Sequence, residues 1–303
     1  MAEESGIAWT RSTFNPWIGC TKVGPGCDHC YAEALDKRMR YGKAVHWGTG
    51  VPRFRTSAAN WRKPLIWDAG AQFSEFAGRR GFWPVFCASL ADVFDNEAPE
   101  AWRRDLWNLI DATPNLSWLL VTKRIGNVER MVPSFWLSRD GFPANVRLLI
   151  TVCNQEEADR DIPKLLALPF KNGISYEPAL GPVDFERYFD QWPDHNGVRV
   201  VQNHVGIDWI IVGGESTQGA GKARPFDLAW ARSVIAQGNA ASVPVFVKQL
   251  GSTSFEVDPD PLRGGYNCAG DYKMRRAWLK LKDRAGADPA EWPEDLRVQE
   301  FPA

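Results

Sequence analysis

"VRLLITVCNQEEADRDIPKLLALP", Val146 to Pro169, opens on a continuous apolar run and passes through a polar joint into a stretch with helical spacing. A strand that is apolar on both faces belongs in a sheet covered on both sides, as parallel sheets are. Asn154 and Glu157 have the spacing of a capping box that starts a helix, and Pro163 is expected to kink or divide that helix. The stretch therefore reads as one βα unit.

Five more runs of the same kind flank it: "VFCASL" from Val85, "WLLVT" from Trp118, "GISY" from Gly173, "DWIIVGG" from Asp208 and "VPVFVKQ" from Val243. Their starts lie roughly 30 residues apart, the length of a βα unit. "NEAPEAWRRDLWNLIDATP" fits a helix with Asn96 as cap and Pro99 in the first turn, and "FDLAWARSVIAQGN" fits one that stops at Gly238. With a less obvious strand before Cys20 there are about seven units. This predicts an α/β fold, a full or partial parallel (β/α) barrel of TIM type over residues 1–250. Residues 251–303 are expected to form an extension packed on the barrel, with "DYKMRRAWLKLKDR" as a short basic helix.

Each run ends in polar or glycine-rich sequence: Ser89 and Asp92; Thr122, Lys123 and Arg124; Asn154; Glu177; Gly213, Gly214 and Glu215; Lys248 and Gln249. Parallel α/β folds build their sites at the carboxyl ends of strands, although some of these residues are expected only to cap helices. Glu177 and Lys248 are candidates for catalysis on this ground.

The 303 residues are 44% hydrophobic and 24% charged, with a net charge of −1, the composition of a soluble globular protein. No run has the length of a membrane span, and the first residues lack the basic start and apolar stretch of a signal peptide. A cytoplasmic location is expected, where cysteines serve metals or catalysis more than disulfides. Three of the six lie in "GCTKVGPGCDHCYAE", Gly19 to Glu33. Cys20, Cys27 and Cys30 could ligate zinc, an iron–sulfur cluster, or nothing. Structural zinc takes four ligands; the only local fourth is His29, badly placed beside Cys30, while Cys87, Cys153 and Cys268 lie in strand-like or tail sequence. A four-iron cluster on three cysteines leaves one iron open to a small molecule, which accounts for three thiols without a fourth. Gly24 and Gly26 would let the backbone approach such a cluster.

"TFNPWIGCTKVGPGCDHCYAE" resembles the opening of the phage-associated three-cysteine-motif proteins, a family related to radical S-adenosylmethionine (SAM) enzymes of the spore photoproduct lyase kind. The similarity continues through "SLADVFDNEAPE", "LLVTKR", "SYEPALGPVDF", "WIIVGGES" and "VPVFVKQLG". The resemblance implies a barrel with a 4Fe-4S cluster on Cys20, Cys27 and Cys30 after the first strand. SAM on the open iron would yield a 5′-deoxyadenosyl radical that abstracts a substrate hydrogen, with a reductant protein feeding the cluster. The spacing differs from the superfamily's C-x3-C-x2-C, and His29 stands where an aromatic is usual. Ser89 and Asp92 are the expected contacts to the SAM amino group, with His29, Tyr31, Gly213, Gly214 and Glu215 as further cofactor contacts. Cys153 is either a hydrogen-donating thiol or core filling.

From residue 37 to 63 the chain inserts a basic and aromatic stripe without an acidic residue. Lys37, Arg38, Arg40, Lys43, Arg53 and Arg55, with Lys123 and Arg124 at a strand end, fit phosphates, and Trp47 fits a base. DNA or a nucleotide is the expected partner and a modified base, in phage DNA, the expected substrate. A zinc-stabilised, non-enzymatic DNA-binding or phage-assembly protein and a photolesion repair lyase are the alternatives.

Overall fold

The strand Val146–Thr151 is buried along its whole length, as an apolar run in a parallel sheet must be. The computed structural model describes residues 4–138, 141–189, 206–217, 222–258, 265–266, 272–273 and 275–303. Cys268, and Asp271 and Met274 of the stretch read as a basic helix, lie outside the described residues.

Seven strands form the main sheet: β1 (Ser12–Thr13), β2 (Pro84–Cys87), β3 (Ser117–Thr122), β4 (Val146–Thr151), β5 (Lys171–Tyr176), β6 (Ile210–Gly213) and β7 (Val245–Gln249). They are parallel and stand side by side in chain order, with β1 and β7 at the two edges, so the sheet is a curled half-barrel of TIM type. All six apolar runs are strands. The seventh, expected before Cys20, is Ser12–Thr13; Trp17–Ile18, closer to the cysteine, pairs with Phe54–Arg55, and Gly19 bridges to Ala91.

Alternate residues of the strands face opposite sides. Leu119, Leu149, Ile211 and Phe246 join Trp9 and Trp209 as a plug in the concave face. Leu120, Leu148, Ile150 and Val212 pack on the convex side, beneath the helices. Of the helices, α1 (Tyr31–Met39) packs Ala32 with Ile18 and Leu90 in a separate cluster, while α2 (Glu100–Asp111), α3 (Ile125–Met131), α4 (Gln155–Leu166) and α5 (Leu228–Ala241) cover the convex side.

The helix ends depart from expectation in three places. Pro99, not Asn96, is the cap of α2, while Asn96 accepts bonds from Asn127 and Arg130. In α4, Pro163 is accommodated inside one continuous helix. Asn154 caps it by accepting from the Glu157 N–H at 2.9 Å, but the Glu157 carboxylate accepts from the Cys153 N–H rather than closing the box on Asn154. Finally, α5 runs through Gly238 to Ala241 and ends on Ser242 in the left-handed region, φ 58°. Gly238 serves close packing, since a Cβ there would stand 2.4 Å from the Val245 side chain.

In the extension, Arg276–Trp278 is a strand antiparallel to Ser254–Val257, not part of a helix. Cross-strand contacts outweigh local helical preference here: Phe255 and Trp278 lie 5.2 Å apart and Arg276 sits 4.4 Å over Phe255. The end of the chain runs antiparallel to β7, with Val247 N–H donating to Val298 and Glu300 N–H to Val245. Among the described residues no helix is long and apolar enough to cross a membrane.

Candidate functional site

The cysteine loop lies over the carboxyl ends of the strands because β1 and the Gly19–Ala91 bridge deliver the chain there. Gly19 takes φ 112°, and a Cβ would strike the His46 carbonyl at 2.3 Å, so this turn requires glycine. Cys27 closes a short 3-10 turn, Pro25–Cys27, and Cys30 is the cap of α1. All three thiols border one cavity of about 130 Å³, together with Tyr31, Trp47, Ser89, Asp92, Lys123 and Thr151. The cavity sits above the aromatic plug, at the upper mouth of the half-barrel.

Two arginines grip the Cys20 end. Arg124 donates to the Thr21 carbonyl at 2.7 Å and its Nη2 lies 3.8 Å from Cys20 Sγ. Arg53 donates to the Thr21 hydroxyl at 2.7 Å, to the carbonyls of His46, Gly48 and Val51, and to Asp95 at 2.7 Å. The Arg53 side chain is 0% exposed, so it cannot reach a phosphate. That corrects its expected place in the basic stripe, and the reason is the shell of backbone carbonyls that only a buried guanidinium satisfies together.

A third arginine, one that sequence reasoning missed, grips the other end. Arg224 pairs with Glu215 through Nη2 at 2.6 Å and Nε at 3.1 Å, and donates to the Pro25 carbonyl at 3.0 Å. Glu215 also meets His29 Nδ1 at 2.9 Å. The late Gly-Gly-Glu thus anchors the cysteine loop from across the mouth. Burial raises the pKa of Glu215, but the bonds from Arg224 and His29 outweigh it and hold the group lowered. Gly214 has a packing role, since a Cβ would lie 2.4 Å from the Leu250 carbonyl; at Gly213 the nearest atoms stand at 3.4 Å. No signal in the sequence marked Arg224, because its partner Pro25 lies 199 residues away.

Asp92, one of the expected cofactor contacts, accepts from the Thr122 hydroxyl at 2.8 Å and from the N–H groups of Phe94 and Lys123. Burial raises its pKa against the opposing charge of Arg124. Ser89 accepts from Asn15 Nδ2, and its carbonyl accepts from the Tyr31 hydroxyl at 2.6 Å. Lys123 reaches the Thr151 hydroxyl at 3.2 Å. Glu177 and Lys248, at the ends of β5 and β7, form an ion pair with each other.

Cys153 is fully buried directly behind the loop. A Cβ on Gly26 would stand 2.5 Å from its sulfur, and one on Gly24 would stand 2.7 Å from Glu157 Oε1. The two glycines let the loop lie flat on the start of α4. Burial pushes the Cys153 thiol up to about 12, and Cys20 likewise to about 12. Cys87 is buried in the convex core.

Of the remaining basic residues, Lys37 pairs with Glu33 at 2.7 Å, and Arg55 pairs with Asp105 at 2.6 Å while lying 4.5 Å over the Trp61 ring. Arg38, Arg40 and Lys43 are exposed. The insertion is folded onto α1 by the buried Asp36, which accepts from the His46 N–H at 2.6 Å.

Among the described residues no three Cys, His, Asp or Glu side chains already converge on a single metal position. The donor set nonetheless suits an iron–sulfur cluster. Three soft sulfurs share one cavity, a cation stands beside Cys20, and the buried Arg124 Nε has no hydrogen-bond partner.

None of the curated proteins matches the chain. Among solved structures it is similar to a cysteine-to-serine mutant of spore photoproduct lyase, at 13% identity and a TM-score of 0.42, over 92% of this chain and 71% of that one. It is also similar to a double mutant of spore photoproduct lyase with bound AdoMet and dinucleoside spore photoproduct, at 12% identity and a TM-score of 0.37, over 88% and 67%. A family profile matches residues 4–286, so the chain belongs to the family described as "Protein of unknown function (DUF5131)".

Proposed function

We propose that the protein is a radical SAM enzyme that holds a 4Fe-4S cluster on Cys20, Cys27 and Cys30 and acts on a nucleic-acid base, in phage DNA where a phage carries it. The observation that carries this reading is the sharing of one cavity by three cysteines at the carboxyl mouth of a parallel half-barrel. When bound, the cluster and SAM supply one-electron chemistry that ends in removal of a hydrogen atom from the substrate.

The chain's own residues bind, orient and exclude water. Arg124, 3.8 Å from Cys20, favours the thiolate form that a ligand needs, against the burial that raises its pKa. Arg53 and Arg224 fix the two ends of the loop, which sets the spacing of the sulfurs. Asp92 and Ser89 line the cavity wall where an ammonium group can be received, with Tyr31 beside them; Glu215 and His29 support the loop from outside. Lys248 and Glu177 pair at the rim, and Cys153 stands behind Gly26 as a thiol that moves into play only if the loop shifts. The exposed Lys37, Arg38, Arg40 and Lys43 follow the mouth on α1 and its C-terminal turn and suit a phosphate backbone.

Anaerobic reconstitution should give about four irons per chain and SAM cleavage on reduction, and Cys27→Ala should lose both. A wild-type protein that takes up zinc alone would overturn the reading in favour of a zinc-stabilised binding protein. Incubation with undamaged and ultraviolet-damaged duplexes then separates base modification from lesion repair.

A further inference from the structure

The half-barrel has a second mouth. Below the plug of Trp9, Leu119, Leu149 and Trp209, at the amino ends of the strands, lies a cavity of about 340 Å³. That volume is in the range of small-molecule pockets, about 300–1,000 Å³. Its wall carries three cations, Arg79, Arg147 and Lys171, and no Asp or Glu side chain.

The strand register explains why two of them point inward. Arg147 and Leu149 are alternate residues of β4, and Lys171 and Gly173 are alternate residues of β5, with Arg147 paired to Lys171 and Leu149 to Gly173. Residues two apart share a face, so the cations form the layer beneath the plug. An apolar pair would seal that layer, yet the chain places charge there.

These charges are only partly compensated. Arg147 is buried, donates to the Asn172 carbonyl at 2.8 Å and meets Asp208 at 3.2 Å; burial lowers its pKa against the opposing pull of Asp208. Arg79 donates to the Pro302 carbonyl at 2.6 Å and stacks 4.2 Å over Phe82. Lys171 is exposed at the mouth and reaches no Asp or Glu side chain among the described residues. Trp9, Phe82, Trp83, Trp209 and Phe301 put aromatic rings in the same wall, beside aliphatic and small polar residues such as Leu119 and Asn145. Trp9 is 3% exposed and its indole N–H has no hydrogen-bond partner.

We propose that this lower cavity binds an organic phosphate with a flat ring of nucleobase size, the phosphate held by Arg147 and Lys171 and the ring lying among Phe82, Trp209 and Phe301. Arginine and lysine together match a phosphate, and aromatic walls accept any flat ring without selecting its edge. The ligand is either a free mononucleotide or the 5′-phosphorylated end of a strand. The site stands apart from the cysteine cavity and does not depend on what the cysteines hold.

Equilibrium dialysis of the full-length protein against the four deoxynucleoside 5′-monophosphates, thymidine, inorganic phosphate and a 5′-phosphorylated dinucleotide tests it. The monophosphates should bind about tenfold or more tighter than thymidine and than phosphate, since each half of the ligand contributes. Lys171→Gln, an exposed change that leaves the fold intact, should weaken binding about tenfold, and Arg147→Lys should weaken it less than Arg147→Gln. Cys27→Ala should leave binding unchanged. The dinucleotide binding as tightly as the monophosphates assigns the site to strand ends, and its exclusion assigns it to free nucleotides. Absence of binding overturns the proposal. So does binding that survives Lys171→Gln or disappears in Cys27→Ala.

Discussion

The two mouths of the half-barrel are both rich in charge, and they use it differently. At the upper mouth Arg53, Arg124, Arg224 and Lys248 each face a carboxylate, from Asp95, Asp92, Glu215 and Glu177 respectively. Three of these cations also hold loop atoms, so the pairs act as clamps that give the cysteine loop its shape. At the lower mouth the cations line an open wall, and only Arg147 meets an acidic side chain among the described residues. Buried charge at the upper mouth is paired and holds backbone, whereas charge at the lower mouth stands along a cavity wall.

Breaking the strongest clamp should have the largest effect. Arg53→Met removes the closer partner of the buried Asp95, which keeps only Arg124 at 3.6 Å, and frees three carbonyls, so denaturant unfolding should show a loss of about 3 kcal/mol. A loss near zero would mean that the insertion is held by something other than this charge.

Gly26→Ala tests the contact beneath the loop. The added Cβ meets the Cys153 sulfur at 2.5 Å, and overpacking of this kind costs about 1–3 kcal/mol. Cys153→Ala in the same chain should recover most of that loss, and the double-mutant cycle measures the coupling. Cys153→Ala alone should leave the iron content unchanged, because Cys153 is not one of the three ligands proposed.

Arg224→Met should act more locally. Removing its bonds to Pro25 and Glu215 should raise amide exchange around residues 24–28 by about tenfold while global stability changes less, an effect hydrogen exchange resolves by segment. Equal protection in the variant would show that the loop holds its shape without the clamp. The smallest effect belongs to the lower mouth: Lys171→Gln should change stability by no more than about 0.5 kcal/mol, since no clamp is broken. A large loss there would erase the contrast between the mouths.

Much of the architecture was legible in the sequence because a parallel strand buried on both faces must be apolar throughout. The runs at Val85, Trp118, Val146, Gly173, Asp208 and Val243 are all strands of one sheet. Element ends were less legible. Asn96 and Gly238 have the residue types of a cap and a stop, yet one serves Asn127 and Arg130 while the other serves close packing against Val245. The strand at Arg276–Trp278 was misread as helix because its partner, Ser254–Val257, supplies the cross-strand contacts that local spacing does not show.

In the site, the three thiols and their glycine-rich loop could be read from the sequence, since these depend on spacing within one short segment, while the place of the loop after the first strand came from the family resemblance. Only the tertiary structure decided what the nearby charges do. Arg53, read as part of a phosphate-binding stripe, is enclosed by carbonyls; Glu215 meets His29 and an arginine brought in from residue 224. The physical reason is that charge acts through distance and burial, and both are set by contacts between residues far apart in the chain.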